Sequence, residues 1–155
     1  MKVKELMSQP IQVVPENVTL ETVARTMLAH HIGCVPVVDV QGKLTGIITE
    51  SDFAAKEKGI PFSTFRAPQV LGQWLDQNGV ARIYQASRTL QAHEIMQPRV
   101  ATVTEDNSVQ DAVELLLKHD VTRLPVVRDG VPVGIVSRHD LLRLMVRAIT
   151  EGEKA

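Results

Sequence analysis

The apolar positions of this chain follow one rhythm twice. A short β-type run, IQVV at Ile11–Val14, is followed by a polar turn. Leu20, Val23, Ala24, Met27 and Leu28 then recur at helical spacing, with Thr19 placed to cap the helix start. Two runs rich in Val and Ile follow, CVPVVD and LTGIIT, with Gly42 in the turn between them. They predict a β-hairpin. The second pass runs VATV at Val100–Val103, then Val109, Ala112, Val113, Leu116 and Leu117 behind Ser108, then LPVVR and PVGIVS around Gly130. Each pass closes on a heptapeptide, GIITESD at Gly46–Asp52 and GIVSRHD at Gly134–Asp140, whose hydroxyl residue is the predicted start of a second helix. The predicted order is β-α-β-β-α, twice.

The match reaches beyond these elements. ELMSQP at Glu5–Pro10 pairs with EIMQP at Glu94–Pro98, and VVPEN at Val13–Asn17 with TVTED at Thr102–Asp106. Internal repetition of this kind decides the architecture. The fold class expected is α/β, of α+β type: two repeats about a pseudo-twofold axis, each burying an apolar sheet face against the other. The expected domains are repeat 1 over 1–53, a helical insertion over 54–91, repeat 2 over 92–150 and a tail over 151–155. The insertion has no counterpart in the repeat and carries Phe62, Phe65, Trp74 and Tyr84. QVLGQWLDQ and VARIYQASRTL within it read as helices. Its aromatics are expected to pack on the repeat body or to face a partner.

Composition narrows the function classes. A chain of 155 residues suits one domain-sized core. Its 17 basic and 18 acidic residues leave a net charge of −1. Nothing in that balance suggests nucleic acid or a membrane surface as partner. No apolar run approaches the roughly 18 residues of a span, and MKVKELMSQP has no signal-peptide core, so a cytoplasmic protein is expected. The single cysteine, Cys34, excludes an internal disulfide and a multi-cysteine metal site. No metal site is expected.

The heptapeptides carry the candidate chemistry. Thr49-x-x-Asp52 and Ser137-x-x-Asp140 fit helix starts, with the hydroxyl residue as N-cap and the aspartate three positions on. The same geometry suits a ligand. A strand running into a helix N-terminus presents backbone N–H groups and a positive dipole end. An aspartate, acceptor-only with two oxygens, can hold two neighbouring ribose hydroxyls. Ser51 adds a hydroxyl before Asp52, and Arg138 and His139 stand before Asp140. Both readings remain open on the residues alone.

VPVVD with GIITESD, and LPVVR with GIVSRHD, make the tandem resemble a cystathionine β-synthase (CBS) domain pair, the Bateman module, here expected to stand alone. The resemblance covers Val3–Phe53 and Ala92–Val146. It implies two clefts, each taking the hydroxyl-x-x-Asp helix start of one repeat and the pre-Pro residues and first strand of the other. One implied site holds Thr49, Ser51, Asp52, Val100, Val121, Thr122 and Arg123. The other holds Ile11, Ile32, Gly33, Cys34, Ser137, Arg138, His139 and Asp140. The implied ligands are AMP, ADP or ATP, with Mg accompanying ATP, and no cofactor is required. Arg123 suits phosphate at the first site, and the sites are expected to differ in affinity. S-adenosylmethionine or a cyclic dinucleotide is an alternative ligand. The resemblance also implies a homodimer and a regulated protein partner. A ligand-free dimerisation or interaction scaffold is the alternative function. No enzyme is expected, since the chain has no GxxxxGK[ST], HExxH or GxSxG motif.

Other residues have blander readings. His30 and His119 fall at helix C-termini, where they complement the dipole. His30 and His31, read as neighbours in a helix, diverge. Met7 and Met96 are equivalent and expected to pack in the core or against a ligand. Pro10, Pro36, Pro98 and Pro125 are expected at strand edges or starts. Arg143 and Arg147 are read as a solvated helix face.

Overall fold

The computed structural model describes residues 1–54, 85 and 88–152. The aromatics Phe62, Phe65, Trp74 and Tyr84, and most of the two helices expected in the insertion, lie outside the described residues. The chain divides into two compact units, one of Gln12–Arg99 and one of Met1–Ile11 with Val100–Ala155.

In the Gln12–Arg99 unit, β1 (Val14–Pro15) leads through α1 (Leu20–Ala29) to β2 (Cys34–Val38) and β3 (Leu44–Thr49), and α2 (Glu50–Ala54) follows directly. The sheet order is β1-β2-β3, with β1 parallel to β2 and β3 antiparallel to it. Parallel neighbours need a crossover, which α1 supplies. The Thr19 side chain accepts from Thr22 N and caps α1, as the sequence predicts. The apolar stripe of α1 then buries Leu20, Val23 and Met27 against Val35, Val37 and Ile48 of the sheet. A short helix, α3 (Ala92–Ile95), completes this core with Ala92 and Ile95.

The second unit repeats the plan with α4 (Val109–Lys118), β4 (Arg123–Arg128), β5 (Val131–Ser137) and α5 (Arg138–Gly152). Ser108 caps α4 in a reciprocal box with Asp111. Asp129 and Gly130, with φ of 52° and 82°, form the two-residue turn between β4 and β5. That backbone matches the strand twist and favours an Asp-Gly pair. The core here is Val103, Ala112, Leu116, Leu124, Val126 and Val136, with Val3 added from the start of the chain.

The compact units and the sequence repeats therefore differ by an exchanged segment. Val3 and Met7, which open the first repeat, pack with the second repeat's elements. Ala92, Ile95 and Met96, which open the second, pack with the first. The exchange is held by matching pairs. Ser8 bonds Ile135 through two backbone hydrogen bonds, and Gln97 bonds Ile47 in the same way. Gly46 lies under Met96 and Gly134 under Met7. A Cβ on Gly46 would stand 2.7 Å from Met96 Cγ, and one on Gly134 2.6 Å from Met7 Sδ. The glycines that open both heptapeptides are thus the floor on which these methionines lie. At the chain start, Lys2 and Lys4 both reach Asp106 (2.9 and 3.1 Å). The backbone N–H groups of Val3 and Lys4 donate to the carbonyls of Asn107 and Glu105.

Three expectations change. The first strands are shorter than the apolar runs suggest. IQVV contributes only its last residue to β1, and VATV only Val103, which bridges Val126. Pro36 lies inside the central strand β2 rather than at a strand edge or start, and Pro125 lies inside β4, an edge strand. They are tolerated because the proline nitrogen faces the flank where the parallel neighbour is only beginning; Pro125's carbonyl on that flank accepts from Val103 N. His31 is not helical: α1 ends at Ala29, and His31 has a left-handed φ of 52°. Asp120 takes the equivalent place after α4, with φ of 48°.

Two predictions follow from this packing. Gly46→Ala and Gly134→Ala should each lower unfolding stability by about 1–3 kcal/mol, the cost of overpacking a filled site. In urea melts, Gly46→Ala combined with Met96→Ala should cost less than the sum of the single changes, and strict additivity would break the assigned contact. The second concerns acid. Hydrogen bonds from Lys2 and then Lys4 hold the Asp106 carboxyl below its ordinary value of 3.8, and the Arg128 guanidinium holds Glu105 below 4.5. The Ser108 backbone N–H similarly lowers Asp111 below 3.8. Carboxyl groups depressed in the folded state stabilise it fully above these ordinary values, and that stabilisation is lost as pH falls through the lowered ones. The urea midpoint should therefore drop more steeply below about pH 3.8, the ordinary value of Asp106, in wild type than in a Lys2→Ala, Lys4→Ala variant.

Candidate functional site

Each heptapeptide builds a strand-to-helix junction of the same design. Thr49 ends β3 opposite Cys34, and Ser137 ends β5 opposite Arg123. The chain turns there into α2 and α5. Asp52 Oδ2 accepts from the Thr49 backbone N–H (2.7 Å) and from its hydroxyl (3.1 Å). Asp140 Oδ2 accepts from Ser137 N–H (2.8 Å) and Oγ–H (2.7 Å). The two aspartates are 3% and 2% exposed, and among the described residues they are the buried charged side chains. A buried carboxylate is costly unless hydrogen-bonded, and each junction supplies those bonds locally. Both copies thus have the aspartate half of the capping geometry read from the sequence, and at Ser137 the hydroxyl half is present too, Asp140 N–H donating to Ser137 Oγ at 3.3 Å.

The helix starts are less open than expected. Glu50 N–H, the first of α2, donates to the Gly33 carbonyl (3.1 Å), and Arg138 N–H, the first of α5, donates to the Thr122 carbonyl (3.0 Å). Gly33 and Thr122 thus tie the residues before β2 and β4 to the helix start within their own units. That role was not readable from spacing, because it needs the hairpin register.

The predicted residues are distributed over both units. Thr49, Ser51, Asp52, Ile32, Gly33 and Cys34 belong to the Gln12–Arg99 unit. Ile11, Val100, Val121, Thr122, Arg123, Ser137, Arg138, His139 and Asp140 belong to the other. Within the first, Cys34 is buried, Ile32, Gly33 and Thr49 are half-buried and Ser51 is exposed. Within the second, Val121 and Arg123 are half-buried, and Thr122, Arg138 and His139 are exposed. Arg138 does not turn to Asp140; its guanidinium meets Asp120 at 3.3 Å. A cavity of about 490 Å³ lies in the Gln12–Arg99 unit among Ala24, Met27, Leu28, His31, Ile32, Gly33, Glu50 and Phe53. It shares Ile32 and Gly33 with the predicted residues, but Asp52 does not line it. Among the described residues, no group of three or more His, Cys, Asp or Glu is placed to hold a metal, and no helix is long and apolar enough to cross a membrane.

Two site residues escaped the sequence reading. Gln97 Nε2 donates to Asp52 Oδ1 at 2.7 Å, and Arg143 Nη1 donates to Asp140 Oδ1 at 3.3 Å. Arg143 is exposed, as its reading on a solvated face predicts, and reaches Asp140 from there. The available signal for Gln97 was its position next to Met96, where the other copy has Ser8 beside Met7.

Removing either carboxylate should leave a hydroxyl-residue N–H without its acceptor. Asp52→Ala and Asp140→Ala should each lose about 1–3 kcal/mol in urea unfolding. Asp→Asn, which keeps one carbonyl oxygen for that N–H, should lose less than Asp→Ala. Equal losses for the two substitutions would mean that the cap bond contributes little.

Comparison with known proteins places this geometry. The CBS domain family model matches residues 3–59 and 92–147. The chain is 30% identical to protein MJ1426 of Methanocaldococcus jannaschii, over 94% of this chain and 92% of that one. Among solved structures, it is 42% identical, with a TM-score of 0.78, to the CBS domain of a CBS domain containing membrane protein from Sphaerobacter thermophilus, covering 93% of this chain and 87% of that one. It is 29% identical, with a TM-score of 0.70, to the CBS domain pair of protein MJ0100, solved in complex with 5′-methylthioadenosine and S-adenosyl-L-methionine, covering 96% and 98% of the two chains. Two repeats matched by the family model, on a mixed α/β fold shared with solved CBS pairs, establish that this chain belongs to the CBS domain family as a tandem pair.

Proposed function

We propose that the chain is a non-catalytic regulatory module that binds an adenosine compound, AMP, ADP or ATP, through the ribose. The observation that carries this reading is the pair of buried aspartates, each at the same strand-to-helix junction. A carboxylate with two oxygens matches a ribose diol. Once would be a helix cap; the same buried acid built twice, in a family whose MJ0100 member is solved with two adenosine compounds, favours a ligand role as well. Thr49, Ser51 and Asp52 are assigned to one ligand, with Val100, Val121, Thr122 and Arg123. Ser137, Arg138, His139 and Asp140 are assigned to the other, with Ile11, Ile32, Gly33 and Cys34. Arg123, Arg138 and His139 are the cations offered to phosphates, and Mg would accompany ATP rather than sit on the protein. Regulation then works by a ligand's unequal affinity for two conformations of the chain.

A second reading, an interaction scaffold acting as a homodimer, is favoured by one specific feature. Leu142, Met145 and Ile149 stand 56%, 62% and 59% exposed on α5, at spacings that put them on one helix face.

Isothermal titration with AMP, ADP, ATP and S-adenosylmethionine separates the readings. Wild type should bind at least one, and Asp52→Asn or Asp140→Asn should weaken it by on the order of tenfold or more, the scale of a lost hydrogen bond to a charged group. Absence of binding by all four at millimolar concentration would overturn the sensor. A sedimenting dimer unchanged by nucleotide and by both substitutions would favour the scaffold.

A further inference from the structure

The two aspartates are equivalent in sequence and alike in what Oδ2 does, but their Oδ1 atoms are held differently. Asp52 Oδ1 accepts from a neutral amide outside its own helix, Gln97 Nε2, at 2.7 Å. Asp140 Oδ1 accepts from a guanidinium of the same helix, Arg143 Nη1, at 3.3 Å, on a side chain 58% exposed. The difference is built into the exchanged segments. Gln97 is fixed opposite Ile47 by two backbone bonds, Ile47 N–H to its carbonyl (3.1 Å) and its own N–H to the Ile47 carbonyl (2.8 Å). Its side chain is therefore delivered to Asp52 by the sheet. Ser8 is fixed opposite Ile135 by the same pair of bonds (2.9 and 3.1 Å), but a serine has neither the length nor the amide of a glutamine. Asp140 takes its donor one turn along α5 instead.

We propose that Gln97 sets the affinity of the Asp52 site as an intramolecular competitor: a ribose hydroxyl that approaches Asp52 Oδ1 competes with the Gln97 amide for that oxygen. The proposal rests on the reading of Asp52 as a ribose acceptor and goes beyond it, because it names the group the ligand competes with. The competing bond is short, charge-assisted and held by a paired backbone, so it persists until a ligand replaces it. The Arg143 bond is longer, 3.3 Å against 2.7 Å, and its donor side chain is not anchored by a paired backbone, so the Asp140 site surrenders its oxygen more readily. Two sites with equivalent acids thus bind one adenosine compound with different affinities, the Asp52 site being the weaker in wild type.

The test uses AMP and the full chain. In an Asp140→Asn background, which isolates the Asp52 site, Gln97→Met keeps bulk but removes the donor, and Gln97→Ala removes both. Isothermal titration should show AMP binding tighter by on the order of tenfold in both, the scale of one hydrogen bond to a carboxylate. In wild type, the NMR signals of the Gln97 side-chain amide should be slow to exchange with solvent when AMP is absent and fast at saturation. Unchanged or weaker AMP binding in both Gln97 variants would overturn the competitor role, as would a side-chain amide unmoved by AMP. Binding by wild type that Asp140→Asn abolishes, and that Gln97→Met does not restore, would overturn it while leaving a ligand role for Asp140. Absence of AMP binding in every variant would overturn the proposal together with AMP as the ligand.

Discussion

The structure depends on an exchange of short segments between sequence repeats. Neither repeat contains its whole core. The core of the Gln12–Arg99 unit is closed by Ala92 and Ile95, and that of the other unit by Val3. The same segments fix the heptapeptide strands from the side. Gln97 pairs with Ile47, Ser8 pairs with Ile135, and the adjacent methionines fill the space left by Gly46 and Gly134. Those strands end at Thr49 and Ser137, whose backbone N–H groups donate to the buried aspartates, so the position of each acid is set in part by residues from far along the chain. A local heptapeptide thereby becomes a site with long-range partners.

This explains why the aspartates serve two readings that first look exclusive. As helix caps they need one oxygen, and Oδ2 supplies it in both copies. The other oxygen faces a donor that differs between copies, Gln97 in one and Arg143 in the other. Capping fixes the carboxylate and leaves Oδ1 as the atom on which the copies differ. The two copies therefore differ at that oxygen without any change of the acid itself.

Much of the fold was legible because the repeat gave every element two witnesses. The periodicity of Leu20–Leu28 and Val109–Leu117, the Thr19 and Ser108 caps, and the hairpins around Gly42 and Gly130 are local features, and local chemistry determines them. The first strands were over-read. An apolar run such as IQVV signals burial, whereas pairing needs a neighbour in register, and only Val14 and Val103 find one. Pro36 was misplaced for the same reason, since it sits inside the central strand β2, whereas Pro125 lies on β4, an edge strand of its two-stranded sheet, as expected. The heptapeptides were recognised, but Gln97 and Arg143 were not. Gln97 meets Asp52 across 45 positions of sequence, and no spacing rule covers that distance.

The central claim is that the hydroxyl-x-x-Asp junctions are where an adenosine compound is held. The most direct measurement is a backbone amide NMR titration of the full chain with AMP, following Thr49 and Ser137, whose N–H groups report directly on the two carboxylates. Both amides should shift and saturate, Ser137 at lower AMP concentration than Thr49. Saturable binding that moves amides elsewhere and leaves Thr49 and Ser137 unchanged would contradict it.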